Sequence, residues 1–292
     1  MFFPILRIVP FFQVLCTCFL MSCIGSEGPG ERAPGFRVYF VDVGQGDACV
    51  LRTPGNRWFL YDIGNEERSL IAFLRHVRAD TLQAAFISHP DLDHFGAFPA
   101  LLHAFPVKKV YLPEGTSPHP AWLGMIRDLD ALATQTETLY AGDTLDFGER
   151  IHGRVLWPVP HSSMTGNNMS TVIRIDYDGK RVLLTGDIED LAETAIREEG
   201  FALGADILKV AHHGSRTFSS LEFVAAVNPR WAVISCDSTV YGHPHAEAVD
   251  DLAVVMGGKE GILRTDREGT VGFEIRSDGV WRIDPYEEVV RD

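Results

Sequence analysis

The sequence predicts an α/β protein in which two mixed β-sheets pack face to face with helices outside, an αββα sandwich. Apolar strand patterns come first in hairpins and then alternate with helical patterns. This succession occurs twice along the chain. Clusters of Asp and His follow several strands, where loops held by a rigid scaffold can converge on one cleft. The same pattern therefore predicts both the fold class and a single functional site.

The first 22 residues are predicted to be a signal peptide that is not part of the fold. Arg7 is the sole charge before Glu27, and the run from Ile8 to Met21 is almost wholly apolar. This run is too short for a comfortable membrane span. The alternatives are an N-terminal anchor helix or a signal peptide that is cleaved elsewhere.

The end of this segment, Leu20–Cys23, resembles the lipobox of bacterial lipoproteins, which implies cleavage before Cys23 and a lipid on its thiol. The expected location is the bacterial cell envelope, anchored in the membrane by that lipid. Ile24 is not the aspartate that retains many lipoproteins in the inner membrane, so the outer membrane is favoured in a Gram-negative source. Residues 23–35 are rich in Gly, Pro, Ser and Glu and predict a flexible tether. Residues 36–292 then form a single domain.

The first half of this domain predicts one strand, a hairpin and then alternating helices and strands. Its strands are apolar and rich in aromatic and β-branched residues; they cover residues 37–41, 48–51, 58–61, 84–87 and 107–112. Its helices have apolar residues at helical spacing; they cover residues 70–77, 95–105 and 122–132.

The second half repeats the arrangement, with a hairpin turn at Asp178-Gly179-Lys180. Two strands are predicted around Gly148 within residues 142–157, followed by a polar loop at residues 158–170. Further strands cover residues 171–175, 181–184, 206–210, 231–235, 270–276 and 280–283. Helices cover residues 189–199, 221–227 and 246–255.

The densest polar cluster is Ser88–His94, directly after the strand at residues 84–87. It carries four metal-capable side chains within six residues: His89, Asp91, Asp93 and His94. Imidazole nitrogen and carboxylate oxygen are ligands suited to zinc, manganese or iron. A polar surface turn is the alternative, but further polar residues follow other strands. These are Asp42, Asp47, Asp62, Asn168, Asp187, His212, His213 and His243.

These motifs resemble the metallo-β-lactamase superfamily and, within it, the hydrolase domain of the ComEC competence proteins. The resemblance runs from about Phe36 to about Leu252. The matching segments are residues 42–47 (DVGQGD), 62–64 (DIG), 89–96 (HPDLDHFG), 167–170 (NNMS), 184–187 (LTGD), 212–215 (HHGS) and 241–244 (YGHP). Their number and order are specific for the fold, but much less so for the substrate, because one fold hosts many hydrolases.

The resemblance implies two adjacent divalent metal ions, zinc or manganese. The implied ligands are His89 and Asp91 for the first ion, Asp93 and His94 for the second, Asp187 between both, and His212 as a further ligand. The resemblance does not decide between His212 and His213. Asp91 replaces a histidine of the superfamily signature, and Asn168 stands near a missing one. This harder ligand set makes manganese as suitable as zinc.

The implied chemistry is hydrolysis by a metal-activated water, with Asp93 in the catalytic centre. His213 or His243 would protonate the leaving group or bind the oxyanion. Asp62 would orient ligands from behind, or would be a turn carboxylate. The loop from Asp42 to Asp47 would contact substrate, or would be a structural glycine turn.

The net charge of −14 opposes binding of a long polyanion, so nucleic acid is disfavoured as a partner and a small-molecule or phosphodiester substrate fits better. The leading prediction is a lipid-anchored phosphodiesterase or nuclease. A lactonase or β-lactamase that acts on a carbonyl is the second prediction, and a non-catalytic binding module on the same fold is the third. Five cysteines without a CxxC pair argue against a thiolate zinc site, and a disulfide between Cys49 and Cys236 is left open.

Overall fold

The computed structural model describes residues 34–216 and 220–286. In these ranges the chain forms an eight-stranded and a seven-stranded mixed sheet with helices packed on them, which confirms the predicted αββα sandwich. The predicted signal peptide, Cys23 and most of the tether lie outside the described residues. Within the described ranges, every helix is too short or too polar to cross a bilayer.

The strands closely follow the predicted ranges. In chain order they are β1 (Phe36–Phe40), β2 (Ala48–Arg52), β3 (Trp58–Ile63), β4 (Leu82–Phe86), β5 (Lys109–Leu112), β6 (Gln135–Thr138), β7 (Thr144–Gly148), β8 (Ile151–Trp157), β9 (Val172–Tyr177), β10 (Lys180–Leu184), β11 (Ile207–Lys209), β12 (Trp231–Ile234), β13 (Ile262–Arg264), β14 (Val271–Arg276) and β15 (Gly279–Ile283).

The helices connect the strands on the outer faces. They are α1 (Glu67–His76), α2 (Leu92–Phe95), α3 (Phe98–Ala104), α4 (Pro120–Ala131), α5 (Asp190–Glu198), α6 (Leu221–Val227), α7 (Ala246–Met256) and α8 (Thr265–Glu268). Two short 3₁₀ turns, Gly166–Met169 and Ala211–Gly214, lie in loops that lead to the polar clusters.

Each sheet has an antiparallel part and a parallel part. The first sheet has the order β15-β14-β1-β2-β3-β4-β5-β6, and β3 to β6 run parallel. The second has the order β13-β12-β11-β10-β9-β8-β7, and β10 to β13 run parallel. Parallel neighbours bring their C-terminal ends to one edge of a sheet, which is where the polar clusters begin.

Side chains along each strand point alternately to the two faces of the sheet, and this explains why each sheet contributes to two apolar cores. In β1, Val38 and Phe40 face the core between the sheets, whereas Tyr39 faces the core beneath α1 and α3. In β10, Val182 and Leu184 face the inter-sheet core, whereas Leu183 packs under the helices of the second sheet. Strands buried on both faces must be apolar throughout, which is why their sequence signal is strong.

Three predictions need correction or completion. The helix predicted over residues 95–105 is two helices, α2 and α3, broken at Gly96, where an added Cβ would lie 2.4 Å from Asn65 Oδ1. Strands β6 and β13 were not predicted, because β6 is polar and mostly exposed and β13 has three residues. Cys49 and Cys236 are both buried free thiols, so the open disulfide is absent.

Candidate metal centre

Polar side chains from both sheets meet at the C-terminal ends of their parallel strands. Asp62 is in β3, Ser88–His94 follows β4, Asp187 follows β10 and His213 follows β11. Asp47 reaches the same place from the loop between β1 and β2. Four overlapping groups of possible metal ligands result, each with ligand atoms within 4.8 Å of one another. The two halves of the chain therefore build one centre.

A buried hydrogen-bond network orients two histidines. Asp62 Oδ2 lies 2.9 Å from His94 Nδ1 and accepts a 2.7 Å hydrogen bond from Ser88 Oγ. Ser88 Oγ in turn lies 3.0 Å from Nδ1 of His89. Since Ser88 donates to Asp62, it can accept the Nδ1 proton of His89. Both imidazoles thus carry their proton on Nδ1 and present Nε2 to the cleft. Asp62 therefore orients ligands and is not merely a turn carboxylate.

The Nε2 atoms of His94 and His213 meet two carboxylates. Asp187 Oδ2 lies 3.2 Å from His94 Nε2 and 3.1 Å from His213 Nε2, and Asp93 Oδ2 lies 3.3 Å from His213 Nε2. Neither Nε2 has a hydrogen-bond partner among the described residues. Ligand atoms on one tetrahedral zinc ion lie about 3.3–3.6 Å apart. Asp93, His94 and His213 therefore form a candidate ligand group for one divalent metal ion, and Asp187 Oδ2 lies beside both of its histidines.

A second group of ligands lies beside the first. His89 is fully buried, and its Nε2 lies 3.6 Å from Asp91 Oδ2. His89, His94 and Asp187 form one of the candidate ligand groups, and His89 Nε2 also lacks a hydrogen-bond partner within the described ranges. The Asp91 side chain is 58% exposed. This second group shares His94 with the group of Asp93, His94 and His213, and its neighbouring carboxylate, Asp91, is more exposed than Asp93.

Of the adjacent histidines His212 and His213, His213 is the buried one. Both residues adopt left-handed backbone angles in the 3₁₀ turn, with φ of 47° and 53°. His213 Nδ1 lies 2.9 Å from the carbonyl oxygen of Ser235, which leaves Nε2 for a metal. His212 Nδ1 lies 3.2 Å from Glu189 Oε1, and His212 belongs to none of the candidate ligand groups in the described chain. The geometry therefore favours His213 over His212 as a metal ligand, a choice that the resemblance left open.

Two further residues that were predicted to belong to the site, Asp42 and Asn168, lie elsewhere. Asp42 faces a different cleft, beside Thr270 and Tyr286, and its side chain accepts a hydrogen bond from the backbone of Gly44. Asn168 caps α5: its Oδ1 accepts hydrogen bonds of 3.1 Å from the backbone N–H groups of Glu189 and Ala192. Neither residue faces the centre. Asn167, which was not singled out, lines the cleft instead.

The glycine loop between β1 and β2 packs directly against the metal motif. Gly46 has a φ of 126°, and an added Cβ would lie 2.3 Å from the backbone oxygen of Asp93. The next residue, Asp47, donates its N–H to the same oxygen at 3.1 Å. Gly46 therefore has the role of a structural glycine turn. The close approach of its backbone to Asp93 places the buried carboxylate of Asp47 in the centre.

Lys209, the last residue of β11, was not singled out from the sequence. Its side chain is 2% exposed, and its Nζ pairs with Asp47 Oδ2 and lies 3.6 Å from Asp187 Oδ1. Burial alone would lower the pKa of Lys209, but the charges of Asp47 and Asp187 raise it, so the ammonium stays charged. The signal available was a lysine in the otherwise apolar strand Ile207–Lys209, three residues before a His pair.

The pKa values of the buried groups indicate that the centre carries excess negative charge. Burial would lower the pKa of His94 and of His213, yet Asp187 with Asp62 or Asp47 raises both well above the ordinary value. Burial would raise the pKa of Asp187, but the two histidines and Lys209 hold it well below its usual range. Without metal, the carboxylates thus draw protons onto the imidazoles. Divalent cations would take the place of those protons.

The centre opens into a cleft of about 410 Å³ with Gln45, Tyr241 and His243 at its rim. Burial and the neighbouring charges of His213 and His212 lower the pKa of His243 to about 4. His243 Nδ1 is buried and has no hydrogen-bond partner in the described part of the chain. A neutral imidazole therefore stands at the mouth of the centre.

A second cavity of about 410 Å³ adjoins the first and shares Gln45, Asp93 and Tyr241 with it. Leu92, Val240 and Tyr241 present exposed apolar surface there, at 36%, 51% and 66% exposure. Among the described residues, neither cavity is lined by Lys or Arg. The entrance to the centre therefore has an apolar side, and its described lining residues include carboxylates but no Lys or Arg.

Comparison with known proteins gives a family match over the same region. Residues 41–238 match the profile described as the Metallo-beta-lactamase superfamily. This range is more than half of the chain and contains Asp62, Ser88–His94, Asp187 and His213.

Curated relatives match over most of this chain. ComE operon protein 3 of Bacillus subtilis is 28% identical over 284 residues, which cover 90% of this chain and 35% of that protein. Competence protein ComA of Neisseria gonorrhoeae is 30% identical over 262 residues, which cover 84% of this chain and 35% of that protein. The chain thus spans about a third of the length of these relatives.

A solved structure shares the fold across its whole length. Igni18, described as a metallo hydrolase from Ignicoccus hospitalis, superposes with a TM-score of 0.52 at 17% identity and covers 82% of this chain and 100% of its own. At this identity the likeness is one of fold. The family match and the His and Asp clusters together support a metal-dependent hydrolase in general terms.

Proposed function

Because the chain belongs to the metallo-beta-lactamase superfamily, we propose that it is a metal-dependent hydrolase of phosphodiesters. One observation carries the proposal: the buried Nε2 atoms of His94 and His213 lie 3.2 Å and 3.1 Å from Asp187 Oδ2, and His89 completes a candidate ligand group with His94 and Asp187. Buried imidazoles and carboxylates this close together form a set of ligands that divalent metal ions would bind.

The described residues offer ligands for two neighbouring divalent ions. Asp93, His94 and His213 would hold one ion, His89 and Asp91 would hold the other, and Asp187 is close enough to contribute to either. Divalent metals at such a site supply Lewis acidity, which polarises a phosphoryl oxygen and lowers the pKa of water. The carboxylate-rich set suits Mn²⁺ as well as Zn²⁺.

The protein's own contribution is to orient these groups. Asp62 and Ser88 fix the tautomers of His89 and His94, and the Ser235 carbonyl fixes that of His213. Each imidazole therefore needs no reorganisation before it binds. With His213 oriented inward, His243 is the remaining histidine for proton handling. Because burial lowers the pKa of His243, it would act near pH 7 as a neutral hydrogen-bond donor to the leaving oxygen.

The surroundings of the centre favour a small diester over a long nucleic acid. A polynucleotide is normally held by Lys and Arg contacts to several phosphates, whereas neither cavity is lined by such residues in the described chain. The apolar surface of Leu92, Val240 and Tyr241 suits an uncharged aromatic or aliphatic ester group. The relatives named for competence make nucleic acid the second candidate substrate.

The test is hydrolysis of bis(p-nitrophenyl) phosphate, nitrocefin and a lactone by the purified chain supplied with Mn²⁺ or Zn²⁺. We expect diester turnover, and we expect Asp93→Asn to lower kcat/KM by at least about 100-fold because it weakens the binding of one ion. Asp42→Asn is the matched control: it changes a carboxylate that faces the other cleft and should keep turnover.

A second arm compares the small diester with a 20-nucleotide single strand at low and high salt. We expect a higher kcat/KM for the small diester than for the single strand. This difference should become smaller at high salt, because salt screens the repulsion between the strand and the charge of −14. Turnover of nitrocefin alone would overturn the proposal, and metal binding without any turnover would favour the binding module.

A further inference from the structure

A third group of ligand atoms lies on the inner side of the centre, away from the cleft. Asp47, Asp187 and His213 are all buried, and their ligand atoms lie within 4.8 Å of one another. Asp47 Oδ1 and Asp187 Oδ1 are buried without a hydrogen-bond partner among the described residues. The two buried carboxylates of this group lie close together, so a cation between them would be strongly favoured.

A side chain supplies positive charge at this place. Lys209 Nζ pairs with Asp47 Oδ2, lies 3.6 Å from Asp187 Oδ1, and donates a 3.1 Å hydrogen bond to the carbonyl oxygen of Gly186. The position is set by the sheet, because β11 lies between the parallel strands β10 and β12. Thr185 Oγ1 donates a 2.7 Å hydrogen bond to the Lys209 carbonyl oxygen, which ties β11 to the end of β10.

Packing alone does not explain a lysine here. A buried ion pair is often no more stabilising than an apolar side chain of similar size, because both charges lose their hydration. Lys209 is 2% exposed and Asp47 is 4% exposed at the side chain, so both lose nearly all of it. The pair therefore points to a role in the charge balance of the centre.

We propose that the ammonium of Lys209 is a built-in third cation of the metal centre. It occupies the inner group of Asp47, Asp187 and His213, and so confines divalent ions to the two groups that face the cleft. It also draws Asp187 Oδ1 inward, which leaves Oδ2 directed at His94 and His213. Lys209 is thus a positioning residue that acts through Asp187. The inference rests on the metal-binding part of the proposed function and is independent of the substrate.

The test counts tightly bound Mn²⁺ per chain, by elemental mass spectrometry after dialysis, in the full chain and three variants. Lys209→Met removes the ammonium from beside Asp47 and Asp187, so we expect one more ion per chain than in the unaltered protein. The double variant Lys209→Met with Asp47→Asn removes both charges, and we expect the count to return to that of the unaltered protein. An identical count in Lys209→Met and in the unaltered protein would overturn the proposal.

The third variant covers the case in which Lys209→Met does not fold. Asp47→Asn keeps the ammonium but removes its nearest counter-charge, so Lys209 is left facing Asp187. We expect the affinity for Mn²⁺, measured by calorimetry, to fall about 10-fold, as for changes behind other metal ligands. Unchanged affinity would contradict the proposal. Because these readouts need no turnover, failure of the diester assay leaves them interpretable.

Discussion

One buried carboxylate, Asp62, organises the first half of the centre. It accepts hydrogen bonds from the backbone N–H and the hydroxyl of Ser88, both at 2.7 Å, and lies 2.9 Å from His94 Nδ1. Asp62 has a φ of 58°, an uncommon conformation for a residue other than glycine. Such conformations persist where surrounding contacts hold them, and here the contacts are those that orient two histidines.

The adjacent histidines give a matched pair for a test. His213→Ala removes a buried group that fits a metal, so we expect the affinity for Mn²⁺ or Zn²⁺ to fall by at least about 100-fold. His212→Ala removes a partly exposed ring paired with Glu189, and we expect a change of no more than about 3-fold. Calorimetry on both variants measures the difference. A larger loss in His212→Ala than in His213→Ala would reverse the assignment.

At the level of elements, most strands were predictable because they are apolar throughout, and most helices because their apolar residues recur at helical spacing. The 3₁₀ turn Ala211–Gly214 was not, since two consecutive left-handed residues leave no periodic signal. That turn decides which of two neighbouring histidines faces inward. In the same way, the helix predicted to start at Phe95 begins at Leu92 instead, so Asp93 and His94 lie within a helical turn and not in a loop.

In the loop from Asp42 to Asp47, we expect the single methyl group added by Gly46→Ala to lower both stability and metal affinity. In Gly46→Ala the added Cβ would meet the Asp93 backbone oxygen, so we expect a loss of about 2–5 kcal/mol in the free energy of unfolding and reduced metal affinity. Gly142→Ala is the control: its φ is 99°, but nothing lies within 4 Å of the added Cβ. We expect it to cost about 1 kcal/mol and to leave metal affinity unchanged.

Chemical denaturation of the metal-free variants measures these free energies, and calorimetry measures the metal affinity. Equal destabilisation by both substitutions would mean that backbone strain alone matters at Gly46, and that the close approach to Asp93 does not.

For the whole molecule, the expected lipid anchor remains a proposal that rests on the lipobox-like residues Leu20–Cys23. We expect the full chain, made in a bacterial host, to fractionate with membranes and to incorporate labelled palmitate. Cys23→Ser should abolish both, whereas Cys18→Ser, a change of the same kind within the apolar run, should abolish neither. Membrane association of the Cys23→Ser protein would favour an anchor helix, and secretion of an unlipidated chain would favour an ordinary signal peptide.

The sequence by itself determined the two-sheet architecture and most residues of the centre, because strand periodicity and short polar motifs are local. It also indicated the harder ligand set, since Asp91 replaces a histidine. The tertiary structure alone decided that His213 faces inward, that Asp42 and Asn168 lie outside the centre, and that Lys209 pairs with Asp47. These outcomes depend on backbone angles in a turn and on contacts between β11 and a loop more than 160 residues earlier, for which local patterns carry no information.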